Sequence, residues 1–228
     1  MHPTLTVSLP AIVANWQWLR ARFTGEECAA VVKADAYGLG MVPIATALEA
    51  AGCHTFFVAT LGEALALREA LPDVRILVFH GVAEGEEFAF AAHRLIPVLN
   101  SEEQIARWKP VAADHVHAVS TLHVDTAMAR MGLQEEEFCS LLAEDPHVLQ
   151  QCRVGLLMSH RGREAGCQAG HGPTTRGMSR RRPGADTTAA TASSRSGGTA
   201  MAERMDAPPL PGANTAPMRL SAPSCASW

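Results

Sequence analysis

The chain reads as an α/β protein made of successive strand–helix units on a parallel sheet, followed by a segment of different character. Three observations predict this. Short apolar runs, partly β-branched, alternate with longer segments whose apolar residues recur every three or four positions. The first such run, Cys28 to Val32, is continuous and not alternating, as in a strand covered on both faces. At residue 160 the pattern stops: residues 161–228 contain no Val, Ile, Phe or Tyr, and Leu only at 210 and 220.

The elements follow in order. Leu9 to Phe23 is predicted as an amphipathic helix, because Ile12, Trp16, Leu19 and Phe23 fall on one face. Cys28 to Lys33 is a strand, Tyr37 to Gly40 a tight turn, and Met41 to Ala51 a helix stopped by Gly52. His54 to Ala59 is the next strand, and Leu61 to Leu71 its helix, ended by Pro72. Arg75 to Phe79 and Glu84 to Ala92 repeat the pair. Leu95 to Leu99 is a strand, and Ser101 caps a helix whose first turn carries Glu102 and Glu103, suited to the helix dipole. Ala118 to Val124 is the fifth strand, Glu135 to Glu144 a helix, and Val154 to Met158 the sixth strand. Such alternation predicts parallel βα units, in either an open doubly wound sheet or a barrel, with functional groups at the carboxyl ends of the strands.

Composition narrows the function classes. The 228 residues are 47% apolar and 18% charged with a net charge of -4, which gives no reason to expect nucleic acid or an anionic membrane as partner. No apolar run approaches the roughly 20 residues of a membrane span, and the start of the chain shows no signal peptide, so a cytoplasmic protein is expected. The six cysteines form no ligand pattern; they are expected as reduced thiols, without a structural zinc site.

Lysine usage points to chemistry. Only Lys33 and Lys109 are lysines among 19 basic residues, and Lys33 closes an apolar strand. Arg stays protonated at any working pH, so only Lys can serve as a nucleophilic amine. A lysine snorkelling from a strand end explains the local pattern equally well. Gly38 and Gly40 follow and would let backbone approach a ligand closely.

Val32-Lys33-Ala34-Asp35-Ala36-Tyr37-Gly38-Leu39-Gly40 resembles the pyridoxal-phosphate lysine motif of bacterial alanine racemases, with Leu39 where many members carry His. His123-Val124-Asp125-Thr126-Ala127-Met128-Ala129-Arg130-Met131-Gly132 resembles the second signature of that family, with Ala127 at its usual glycine, and Met158-Ser159-His160 resembles a third. The resemblance implies a (β/α)8 TIM-type barrel, here incomplete at about six βα units. It implies that Lys33 forms the aldimine with pyridoxal 5'-phosphate and acts as a catalytic base. Tyr37 would then lie by the cofactor phosphate, Arg130 would contact the cofactor's phenolic oxygen and the substrate carboxylate, and His160 would lie against the cofactor ring. Asp35 and Asp125 would be structural, since Asp beside a strand end commonly serves turns and caps. The other histidines, His123 among them, are assigned no role.

The family implies interconversion of L- and D-alanine, supplying D-alanine for peptidoglycan, by a homodimer in which the partner's C-terminal β domain gives a tyrosine as second base. Tyr37 is the only tyrosine here. The expectation is therefore a domain over 1–160, a disordered tail over 161–228 arising from a shifted reading frame, no C-terminal β domain, and a chain inactive as a racemase. A stand-alone pyridoxal-phosphate carrier and an interaction protein using the Arg-rich tail are the alternatives. The first should show eight βα units, and the second salt-dependent binding to nucleic acid.

Overall fold

A computed structural model describes residues 4–126 and 128–160, and the backbone of 200–204. Its frame is a curled sheet in the order β1-β2-β3-β4-β5-β6-β7, in which β1 to β6 are parallel. The strands are β1 (Ala30–Val31), β2 (Thr55–Val58), β3 (Arg75–Val78), β4 (Ile96–Leu99), β5 (Ser120–His123), β6 (Val154–His160) and β7 (Ala200–Arg204). Between them run α1 (Leu9–Arg20), α2 (Lys33–Gly38), α3 (Met41–Ala50), α4 (Leu61–Ala70), α5 (Glu87–Ala92), α6 (Glu102–Asp114), α7 (Glu135–Glu144) and α8 (Val148–Gln151). This is the incomplete TIM-type barrel expected, with six parallel strands among the described residues.

Local chemistry sets the helix starts. Ser8 caps α1 and Ser101 caps α6, each accepting a backbone N–H of the first turn. Thr60 and Glu63 form a reciprocal capping box on α4, as Gln134 and Glu137 do on α7. The strands alternate between two cores. One set of residues, including Phe56, Val58, Ile76 and Leu122, packs under the helices with Leu67, Phe90 and Trp108. The other set, Phe57, Leu77, Val98 and Met158, forms a second cluster on the concave face. Burial on both faces explains why these strands read as continuous apolar runs.

Three expectations are corrected. β1 is shorter than Cys28–Lys33, and Val31 on its concave face is 40% exposed, so the strand is not buried on both sides. The reason is its place in the sheet: β1 is a terminal strand, paired with β2 alone among the described residues. Next, the stretch from Lys33 to Gly38 is not a simple turn. Ala34, Asp35, Ala36 and Tyr37 all have φ between 51 and 57°, making one left-handed helical turn. Finally, a strand falls within the segment expected to lack regular structure: β7 pairs antiparallel with β6, from His160↔Ala200 to Leu156↔Arg204. Pairing supplied by a remote strand leaves no local apolar signature. The rest of the tail, 161–199 and 205–228, and Ala127 lie outside the described residues.

Candidate active site

The parallel strands deliver their carboxyl ends to one rim, and residues at even spacing along each strand face the concave side. Lateral pairing puts Val31 beside Phe57, Phe57 beside Leu77, and Leu77 beside Ile96. One step further toward the rim come Lys33 after β1, Phe79 after β3, Asn100 after β4, His123 ending β5 and His160 ending β6. Lys33 is half-buried, with Nζ 5.3 Å from the centroid of the Phe79 ring. Phe79 itself stacks on Phe57, with ring centroids 5.0 Å apart and planes 21° apart. The ammonium rests on an aromatic floor and has no carboxylate partner among the described residues.

The turn that carries Lys33 is held by carboxylates. Glu63 at the start of α4 accepts from the amide of Ala34 at 2.6 Å through one oxygen and from that of Ala59 at 2.7 Å through the other. It joins the ends of β1 and β2, next to the lysine. Asp35 accepts from the Met41 amide at 2.7 Å and so starts α3. Tyr37 lies on the same left-handed turn with its side chain 61% exposed.

Arg130 sits in the loop after β5. That loop folds back on its own strand: the Asp125 amide donates to the Leu133 carbonyl at 2.8 Å, and the Leu133 amide to the His123 carbonyl at 2.9 Å. The buried Asp125 carboxylate accepts from the Met128 amide at 2.8 Å and from Gln134 Nε2 at 3.2 Å. Burial pushes its carboxyl up, but those donors, with the Ala129 amide and His123, hold it below its ordinary value. Asp125 is thus a loop anchor, as Asp35 is a helix cap. The Thr126 and Ser159 hydroxyls bond to each other and tie the loop to the end of β6.

Three of the predicted residues share one electrostatic neighbourhood. Burial holds His160 below the ordinary imidazole range, and the charges of Arg130 and Lys33 push it the same way. Arg130 is exposed, with no hydrogen-bond or ion-pair partner among the described residues. Lys33 after β1, Arg130 in the loop after β5 and His160 ending β6 all stand at the carboxyl ends of the strands, and Tyr37 lies on α2, directly after Lys33.

Sequence reasoning missed Glu63, Asn100 and His123. Glu63 was visible as the last residue of a Thr-x-x-Glu cap, but its two remote amides were not. His123 lies within the second signature and is buried, its Nδ1 2.8 Å from Asn100 Oδ1.

Residues 7–205 match the family model for the N-terminal domain of alanine racemase. The chain belongs to this family. Alanine racemase of Acidiphilium cryptum is 52% identical over 159 residues, covering 70% of this chain and 44% of that protein. Alanine racemase of Rhodospirillum rubrum is 48% identical over 159 residues, covering 68% and 42%. Among solved structures, alanine racemase from Bartonella henselae, described with covalently bound pyridoxal phosphate, superimposes with a TM-score of 0.64 at 38% identity, over 69% of this chain and 46% of that one. The chain thus spans less than half the length of these alanine racemases.

Proposed function

We propose that this chain is the cofactor-holding part of an alanine racemase, with residues 1–160 as the working domain and 161–228 as a tail that lends β7 to its sheet. The placement of Lys33, Arg130 and His160 at the carboxyl ends of strands of one parallel sheet carries the reading. The rim fits pyridoxal 5'-phosphate: among the described residues it offers the Lys33 amine with no carboxylate partner, the Arg130 guanidinium with no ion-pair partner, and the buried Nε2 of His123 without a hydrogen bond. When bound, that cofactor supplies an electron sink for the Cα–H bond of an amino acid.

The chain's own groups do the rest. Lys33 holds the cofactor through its amine and, when that amine is free, takes or returns the proton on one face of Cα. Arg130 binds the carboxylate of alanine with two parallel N–H donors and also meets the cofactor's phenolic oxygen. His160, whose pKa is lowered by burial and by its cationic neighbours, would lie against the cofactor ring. Tyr37 would stand by the phosphate. Racemisation needs a second base on the opposite face, and Tyr37 is the only tyrosine in these residues. On this reading the active enzyme is a cytoplasmic homodimer supplying D-alanine for peptidoglycan, and residues 1–228 alone bind cofactor but scarcely racemise.

The test is an absorbance titration with pyridoxal phosphate, alongside a D-alanine assay. A band near about 420 nm, from the cofactor's own chemistry, should form with the wild type and be missing in Lys33→Ala. No band, or one that survives Lys33→Ala, would sink the cofactor assignment. Racemisation that depends on Lys33 would overturn the inactivity of this stretch.

A further inference from the structure

One carboxylate stands where the first two strands part, and it takes an amide from each. A parallel ladder carried one step beyond Val31 and Phe57 would bring the Ala59 amide to the Val32 carbonyl. That carbonyl is taken, because the chain turns left-handed after Lys33 and the Ala36 amide donates to it at 2.9 Å. The Ala59 amide goes instead to Glu63 Oε2 at 2.7 Å, and the Ala34 amide to Oε1 of the same carboxylate at 2.6 Å. Glu63 is itself seated at the start of α4, where its own amide donates to Thr60 Oγ1 at 3.3 Å. Bonds to an ionised acceptor are the stronger kind.

The bond to Ala34 matters most for the lysine. That amide belongs to the peptide plane directly after Lys33, while the Val32 amide before it is held by the Phe57 carbonyl at 2.9 Å. The backbone on both sides of Lys33 is thus tied to β2 and its continuation. Beyond it, Ala34 to Tyr37 hold a conformation that L-residues rarely adopt, so the plane needs an outside acceptor to stay as it is. Glu63 forms no ion pair with Lys33 among the described residues, so it reaches the amine through the backbone. What the tied backbone delivers is Nζ, 5.3 Å from the centroid of the Phe79 ring.

We propose that Glu63 is a positioning residue for Lys33: by bridging the ends of β1 and β2 through two amides, its carboxylate sets the direction in which the amine is presented over Phe79. The inference rests on the cofactor-holding role given to Lys33 above, but its first test does not need that role.

The chain has only two lysines, so labelling lysine with 13C at Cε gives two signals from the full chain. The Phe79 ring current should displace the Lys33 signal from that of a solvated lysine, and Phe79→Leu should abolish the displacement. Lys109, paired with Asp145 at 2.7 Å, reports on the fold. In Glu63→Ala the Lys33 signal should move to the solvated position while that of Lys109 stays. Glu63→Gln keeps the length of the side chain but accepts at only one of the two amides, so it should move the Lys33 signal part of the way. A Lys33 signal left in place by Glu63→Gln would overturn the bridge, even if Glu63→Ala fails to fold and shifts both lysines. The second test is pyridoxal phosphate affinity, which Glu63→Gln should weaken about tenfold, the worth of one charge-assisted hydrogen bond. Equal affinity in wild type and Glu63→Gln would overturn the positioning role. If the wild type binds no cofactor at all, the role of Lys33 fails, and the placement of its amine by Glu63 stands or falls on the lysine spectra alone.

Discussion

His123 and His160 give the folded chain a definite response to acid. Burial is the chief cause of the lowered pKa of both rings, with Arg130 adding to it and, for His160, Lys33 as well. Unfolded, each ring titrates near its ordinary 6.5; folded, each titrates lower. Between those values the unfolded chain binds more protons, so this contribution is complete above about pH 6.5 and declines as pH falls through that value. It levels off once the folded rings are protonated as well. The lowered carboxyls of Asp125 and Asp145 act only at more acidic pH. Urea midpoints should therefore drop between about pH 7.5 and pH 5.5, and drop less in His160→Gln. A midpoint that is flat or rises toward acid would count against neutral buried rings.

At the scale of elements, one side chain fastens two βα units together. Arg68, in the last turn of α4, donates to the carbonyls of Leu71, Pro72 and Val74 below its own helix. It also donates to His93 and Arg94 at the end of α5. A guanidinium can serve five carbonyls because its donors form a planar fork, which an ammonium lacks. Arg68→Ala should cost about 2–3 kcal/mol in chemical denaturation, with Arg68→Lys between it and wild type. A loss under about 0.5 kcal/mol would show that water replaces the fork freely. Features of this kind also mark where the sequence stopped being legible. The order of the elements, the stops of α3 and α4 at Gly52 and Pro72, and the start of α6 at Ser101 could be read locally. Lys33, Arg130 and His160 could be placed at strand ends. The Asn100–His123 pair and the grip of Glu63 on Ala34 could not, because each joins residues more than 20 positions apart and leaves no periodic trace. β7 was hidden for the same reason.

For the molecule as a whole, the sheet's edge at β6 is the point to watch. β6 is the longest parallel strand, and five of its residues pair with β7, from Leu156 to His160. An unpaired strand edge offers a row of backbone donors and acceptors to any other chain. Deleting residues 200–204 should bare that edge and raise self-association, read by light scattering at matched concentration. Unchanged scattering would mean that β7 gives β6 little protection. The partly exposed concave face at Val31 points the same way, since a barrel of six parallel strands leaves interior side chains uncovered where the wall ends.

The left-handed turn at the foot of Lys33 limits which residues can stand there. Each of Ala34, Asp35, Ala36 and Tyr37 bears a Cβ in a conformation that costs an L-residue about 1–2 kcal/mol. Throughout most of a protein, replacing glycine by alanine strengthens the fold and the reverse weakens it. Over these four positions the ranking inverts: glycine is the relaxed choice, alanine the strained one, and a β-branched residue all but barred. At Ala34 and Ala36 strain is thereby relieved only by a smaller side chain, so Lys33 stands at the foot of a turn that admits few substitutions.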